Sequence, residues 1–493
     1  MAWLLVSFFA YMVFIVLVGV VAGRRTRGRM ESFYLGDRKV GAWVTAISAS
    51  ASSESGWLVM GCVMMGYVYG VAAYWITFGC VLGFVFNWFF FAEHIRKLSV
   101  DTGSLTVPEL LEKVTGDPTR LVRPIGVLII LVLMFFYVAA QLNAAGAALE
   151  AVFSWPYWVG VLIGAAVTIF YTTIGGYRAV SWTDLFQGLL MVAALVVIPI
   201  LAYFAVGGVD ALQAKVKARE AQPFHVFKGF VESEYRVVRV EPGSPARFTS
   251  AGPPAREAVL SVEPGPHFFR SVDGAEPQEI VAGPGEAPTL DLSAIGLEGG
   301  ISLEKTYEPV GGEAFFALTG GMVGLVLLGW IVEMLGIGLG YPGSPHVVAR
   351  FMAARSRREI VRGRTIALTW AVLAEGGAIS MGILARGLFP DLADPQAGLL
   401  EGARHFLPPL LVGLIVAAVF AALRSTADSQ LLVASSAVVR DFCGGVLRLR
   451  LTDEKAMRIS RAVVLVLGLL ALGLALGRNR LIFWFVLFAW AGL

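Results

Sequence analysis

The chain has 493 residues, 57% of them hydrophobic and only 15% charged, with a formal net charge of +3. A mean hydropathy of +0.73 and recurring apolar runs of about 20 residues mark a multispanning helical membrane protein and exclude a soluble enzyme. The basic residues sit in short loops rather than on one face, so no nucleic-acid surface is indicated. Cys62, Cys80 and Cys443 lie far apart in or beside apolar runs, which argues against a disulfide framework and against a CxxC metal site.

In chain order, the first apolar run, Trp3 to Ala22, ends in Gly23 and Arg24 without a small-residue cleavage pattern and reads as a retained span. Further spans are predicted near 42–70, 72–92, 124–152, 157–175, 184–206, 316–341, 365–388, 408–438 and 461–477, and an eleventh starts near 481. The expected organisation is an N-terminal helix and first half over 1–206, an insert over 207–315, and a second half over 316–493 whose last span is incomplete.

Two polar interruptions stand out. Ser48, Ser50, Ser52, Ser53, Glu54, Ser55 and Gly56 fall inside the second predicted span, and Arg424, Ser425, Thr426, Asp428, Ser429 and Gln430 inside the ninth. A charged side chain at membrane depth costs about 2.5 to 3.5 kcal/mol even on lenient insertion scales, so Glu54 should face a protein-lined cavity and mark a pathway. Interrupted spans predict a solute and ion site near the bilayer midplane.

Orientation follows from two basic clusters. Arg24, Arg25, Arg27, Arg29, Arg38 and Lys39 follow the first span, and Arg350, Arg355, Arg357, Arg358, Arg362 and Arg364 follow the seventh. The positive-inside rule puts both in the cytoplasm, with the N-terminus and the loop 207–315 outside a plasma (inner) membrane. That loop holds 11 of the 22 prolines, with 16 acids against 10 bases. Its strand-like runs Tyr235–Val240 and Ala258–Val262 and its turn residues read as a small β-rich outer domain, although its Pro and Gly content also fits a partly disordered insert.

A second glycine- and proline-rich break, at Gly336, Gly338, Gly340, Pro342, Gly343 and Pro345, lies five spans after the first. An odd separation makes the two copies inverted, the construction many secondary transporters use to place unwound backbone at a central site.

The runs SASASSESGWLVMG (48–61), GGYRAVSWTDLFQG (175–188), GLGYPGSPHVVARFMAA (338–354) and RSTADSQLLVASSAVVRDF (424–442) resemble the sodium/solute symporter family, and within it the sodium/proline symporters most. The resemblance implies an all-α five-plus-five inverted-repeat (LeuT-type) core preceded by one extra helix. Against that pattern Leu493 falls inside the last core helix, so the core is expected to be truncated at its C-terminus.

The resemblance also implies site residues. Sodium would be bound by the carbonyls of Ala51, Glu54 and Ala422 and the hydroxyls of Ser425 and Thr426, a neutral oxygen set that suits a hard cation which must later be released. Asp184 and Asp428 are the expected ion-coupling acids. Asp184 is alternatively a helix-start acid favoured by the dipole, and Asp428 one that bonds a neighbouring helix. Tyr137, Gln141 and Tyr341, with Pro345 shaping the break, are expected around the substrate. Ser53 stands where the best-matched proline symporters have a functional aspartate, the acid being displaced to Glu54, and Ile337 stands where they have a pocket tryptophan. Glu54 is expected either to lend charge to the cation site or to pair with Arg424.

No nucleophile sits beside a base and no phosphate-binding loop appears, so the expected activity is transport without covalent chemistry. The expected function is import of a small amino-acid-like solute, proline first, with sodium as coupling ion and no other cofactor. Another small organic or amino acid, or a membrane solute sensor on the same fold, is the alternative. The partners are the solute, sodium and the lipid bilayer, with an envelope partner for residues 207–315 as a further reading.

Overall fold

The computed structural model describes residues 2–26, 28–153, 155–217, 309–392 and 394–477, together with the backbone of strand segments between 224 and 307. The eleventh span expected from 481 onward, the chain end at Leu493 and most of the insert lie outside the described residues.

Among the described residues the main helical segments are α1 (Ala2–Gly23), α2 (Ala42–Ser53), α3 (Val63–Tyr69), α4 (Tyr74–Phe86), α5 (Val122–Phe153), α6 (Tyr157–Val206), α7 (Gly324–Gly336), α8 (Pro345–Ala353), α9 (Arg357–Leu388), α10 (Pro409–Ser436) and α11 (Asp453–Leu476). Eight helices among the described residues are long and apolar enough to cross a membrane. Their outward faces carry large apolar side chains such as Trp3, Phe204, Leu325 and Val326, as expected where the solvent is lipid. At the centre, α10 is buried along almost its whole length from Val412 to Ser436.

The two predicted spans 157–175 and 184–206 form one helical run, α6, of 50 residues. Drawn straight it would extend about 75 Å, more than twice a bilayer core. Instead it turns at Gly176, whose φ of 56° and ψ of −147° lie outside the helical region. A Cβ built on Gly19 would meet Tyr171 Cβ at 3.1 Å and Thr183 Cγ2 at 3.4 Å, although a straight helix would hold those two residues about 18 Å apart. The chain therefore doubles back, and α1 packs on both arms. A Cβ on Gly176 would lie 2.7 Å from the Phe33 carbonyl oxygen in a backbone conformation only glycine adopts readily. Gly176→Ala is expected to cost about 1 to 3 kcal/mol and to lower the melting temperature of the purified protein; an unchanged melting curve would remove this residue as the hinge.

The polar run in the second span coincides with a real break. Helix α2 stops at Ser53, Glu54 is extended (φ −95°, ψ 119°), and a π-helical turn at Trp57–Cys62 leads into α3. In the seventh span, α7 passes through a 3-10 turn (Ile337–Leu339) and a short turn (Gly340–Gly343) to a second break at Ser344 (φ −73°, ψ 107°), after which Pro345 opens α8. The ninth span is a correction to the sequence expectation. Helix α10 runs unbroken through Arg424–Gln430, and the hydroxyls there are accommodated within it by bonding back one turn, Ser429 to the Ser425 carbonyl at 2.7 Å and Thr426 to that of Ala422 at 3.3 Å.

Between 224 and 307 the described backbone forms strands β1 (Phe224–Val231), β2 (Glu234–Val240), β3 (Ala246–Thr249), β4 (Glu257–Val262), β5 (Phe269–Ser271), β6 (Gln278–Glu279), β7 (Thr289–Asp291) and β8 (Gly299–Tyr307). They pair antiparallel in two four-stranded sheets of order β2-β1-β8-β7 and β3-β4-β5-β6.

Candidate functional site

The break after α2 leaves carbonyls without helical partners, and α10 lies against it. Ser425 Oγ is 2.8 Å from the Ala51 carbonyl oxygen and 3.2 Å from that of Ala422. Thr426 Oγ1 is 3.3 Å from the carbonyl oxygens of both Glu54 and Ala422. The five oxygens implied by the resemblance are thus linked by hydroxyl–carbonyl contacts of 2.8 to 3.3 Å, on a broken helix and an intact one. Each hydroxyl has a single proton and two carbonyls in reach, so the cluster is richer in acceptors than its own donors satisfy, which fits a small cation.

The predicted substrate residues divide. Tyr341, on the short turn before the second break, donates its hydroxyl to Glu54 Oε1 at 2.5 Å and packs edge-on against Phe84 with ring centroids 4.7 Å apart. Tyr137, from α5, donates to Ser55 Oγ at 3.5 Å on the other side of the first break. Gln141 is buried on the next turn of α5, with no hydrogen-bond donor at its Oε1 among the described residues. Ile337 packs partly buried against the core, and Ser53 Oγ turns back to the Ser50 carbonyl at 2.8 Å. Pro345 lines a cavity bounded by Tyr34, Thr106, Tyr177, Arg350 and Ser429, whose wall includes neither Glu54 nor Tyr341.

Asp184 does not touch the five-oxygen cluster. It accepts Ser48 Oγ at 2.6 Å and Arg350 Nη2 at 2.9 Å, all three residues buried. Arg350 also donates to Ser48 Oγ at 3.1 Å, to the His346 carbonyl at 2.6 Å and to Ser429 Oγ. The alternative of a helix-start acid fails, because Asp184 lies within the helical run of α6. Asp428 accepts from Ser429 Oγ at 3.0 Å and from the Tyr171 hydroxyl, so it bonds a neighbouring helix. Arg424 is not paired with Glu54. Its guanidinium lies 5.2 Å from the Tyr171 ring centroid and reaches Met12 Sδ at 3.6 Å. Arg350 is a further correction to the sequence expectation: it does not belong to the basic loop but is 1% exposed inside the core.

Sequence reasoning passed over Ser48 and Ser429 as partners and missed Arg350, Tyr171 and Glu375. Glu375, in the middle of α9 and fully buried, had the same signal as Glu54, an ionisable residue inside an apolar run.

Helix breaks inside membrane-spanning segments, one of them beside buried oxygens, are a construction many secondary transporters use. The sodium:solute symporter family model matches residues 33–242 and 308–493, and the chain belongs to that family. It is 29% identical over 481 residues to the high-affinity proline transporter PutP of Bacillus subtilis, covering 97% of this chain and 81% of the relative. It is 29% identical over 498 residues to the sodium/proline symporter of Escherichia coli (99% and 80% covered), and 30% over 497 residues to that of Haemophilus influenzae (99% and 80%). A solved Na+-coupled sialic acid symporter shares the fold at a TM-score of 0.66 and 17% identity, over 97% of this chain and 83% of that one. The chain is therefore a multi-pass membrane transporter that couples solute movement to sodium, and not an enzyme.

Proposed function

We propose that this chain imports a small amino-acid-like solute, proline first, on an inward sodium gradient by alternating access. The observation that carries the sodium half is the convergence of the Ala51, Glu54 and Ala422 carbonyls with the Ser425 and Thr426 hydroxyls. Neutral oxygens exchange one hydration shell for another without trapping the ion. Proline is supported by the proline transport of the relatives and by the aromatic walls Tyr137 and Tyr341, which offer apolar surface and a hydroxyl to a small ring.

The core is read as two inverted five-span halves after α1, the breaks at Glu54 and Ser344 being their corresponding points. The N-terminus and residues 207–315 are placed outside, the latter as a β-rich insert. In that orientation the cavity between Thr106 and Arg350 faces the cytoplasm and gives the released solute an exit. Asp184 and Asp428 would couple sodium occupancy to the opening of that exit through the hydrogen bonds of Asp184 to α2 and α8 and of Asp428 to α6.

The test is uptake of labelled proline and other small amino and organic acids into proteoliposomes, with and without an inward sodium gradient. Accumulation of one solute only when sodium is driven inward is expected. Binding without uptake in either direction would replace transport with the sensor reading.

A further inference from the structure

Glu54 and Glu375 bring two carboxyl groups into contact inside the core, one from the first helix break and one from α9. Around them stand the Tyr341 hydroxyl, 2.5 Å from Glu54 Oε1, and two thiols, Cys62 Sγ at 3.7 Å from Glu375 Oε2 and Cys80 in reach of both Glu375 and Tyr341. No arginine or lysine among the described residues forms an ion pair with either acid. Glu375 Oε1 is buried with no N–H or O–H directed at it. A buried carboxylate oxygen without a donor, beside a second carboxylate, is a strongly unfavourable arrangement unless the two share a proton or positive charge comes between them.

We propose that Glu54 and Glu375 form the subsite for a protonated amino group on the transported solute, an inference that rests on the substrate pocket proposed above. Two features favour an organic ammonium over a second metal ion. The wall contributes one hydroxyl and two thiols where a hard cation wants several more oxygens, and no group of metal-holding side chains occurs among the described residues. An ammonium carries two or three N–H donors, which match carboxylate oxygens lacking donors of their own. The position also agrees, since Tyr341 bridges Glu54 to the aromatic wall, so an amine held here leaves the rest of a small solute against Phe84 and Tyr341.

The experiment is calorimetric binding to the purified full chain at saturating sodium, with proline, alanine and lysine against their desamino counterparts cyclopentanecarboxylate, propionate and 6-aminohexanoate. The last retains only the distal amine of lysine. At least one α-amine is expected to bind, with its desamino partner at least tenfold weaker. Glu375→Gln is expected to weaken the amine at least tenfold while 22Na binding keeps its half-saturation within threefold. That sodium readout also shows the variant is folded. A desamino acid that binds as well as its parent, an unchanged amine affinity in Glu375→Gln, or a second sodium ion lost in that variant would each overturn the inference. If no amine binds at all it is overturned as well, while 22Na binding that depends on Ser425 would leave the sodium reading standing.

Discussion

Replacing Ser425 and Thr426 together by alanine is expected to lower sodium affinity by at least about a hundredfold and to remove sodium-driven uptake. The double change deletes two of the five converging oxygens and leaves the three carbonyls in place. A hydrogen bond or dipole aimed at a full charge contributes about 1.5 to 3 kcal/mol, so two lost ligands correspond to about two to four orders of magnitude in affinity. The hydroxyls also bond the Ala422 carbonyl one turn back, a purely local role any helical serine or threonine can take. The two roles separate in the conservative variants. Ser425→Thr and Thr426→Ser keep a hydroxyl at the point of convergence and should keep a sodium half-saturation close to that of the parent. The measurement is 22Na binding beside solute uptake across a series of sodium concentrations. If the double alanine variant retained the parent half-saturation, the oxygen cluster would be a packing contact between α2 and α10 and nothing more.

What the sequence revealed of this site depended on whether a signal was local. The serine-rich run at 48–56 and the glycine-proline run at 336–345 are visible as polar or flexible residues inside apolar stretches, and the helices break at Glu54 and Ser344 within those runs. The Ser425–Thr426 pair gives the same compositional signal, yet α10 does not break there. A run of hydroxyls can satisfy itself on the preceding turn, and composition alone does not say whether it unwinds a helix or sits in one. Pairing across the fold was hidden. Nothing in the local sequence says that Arg350, beside a basic loop, points inward to Asp184, 166 positions away, or that Arg424 lies on the Tyr171 ring and not on Glu54. Long-range partners follow from which helices become neighbours, and that is set by the sum of many apolar contacts. Glu375 is the instructive omission. The rule that flagged Glu54 applied to it equally, but it stands alone in its span, without the surrounding serines that drew attention to the first break.

Arg350→Met is expected to destabilise the protein by about 3 to 5 kcal/mol, because it strands Asp184 in the core without its cation. Arg350 and Asp184 are 1% and 0% exposed and 2.9 Å apart, and Ser48, Ser429 and the His346 carbonyl complete the guanidinium's contacts. The arrangement joins α2, α6, α8 and α10. Asp184→Leu should destabilise comparably by leaving Arg350 unpaired. The double variant Arg350→Met/Asp184→Leu removes both charges, and replacing a buried pair by apolar groups of similar volume is often neutral or better. Its melting temperature in detergent should therefore return most of the way to that of the parent. This recovery decides the role of the pair. A double variant that is stable but takes up solute without regard to the sodium gradient would make Asp184 a coupling residue, because structure has been restored and only the charge is missing. A double variant that is stable and still sodium-driven would leave the pair as a clamp between the helices. A double variant as unstable as the single ones would show that the hydrogen bonds to Ser48 and Ser429, and not the charge balance, hold the four helices together.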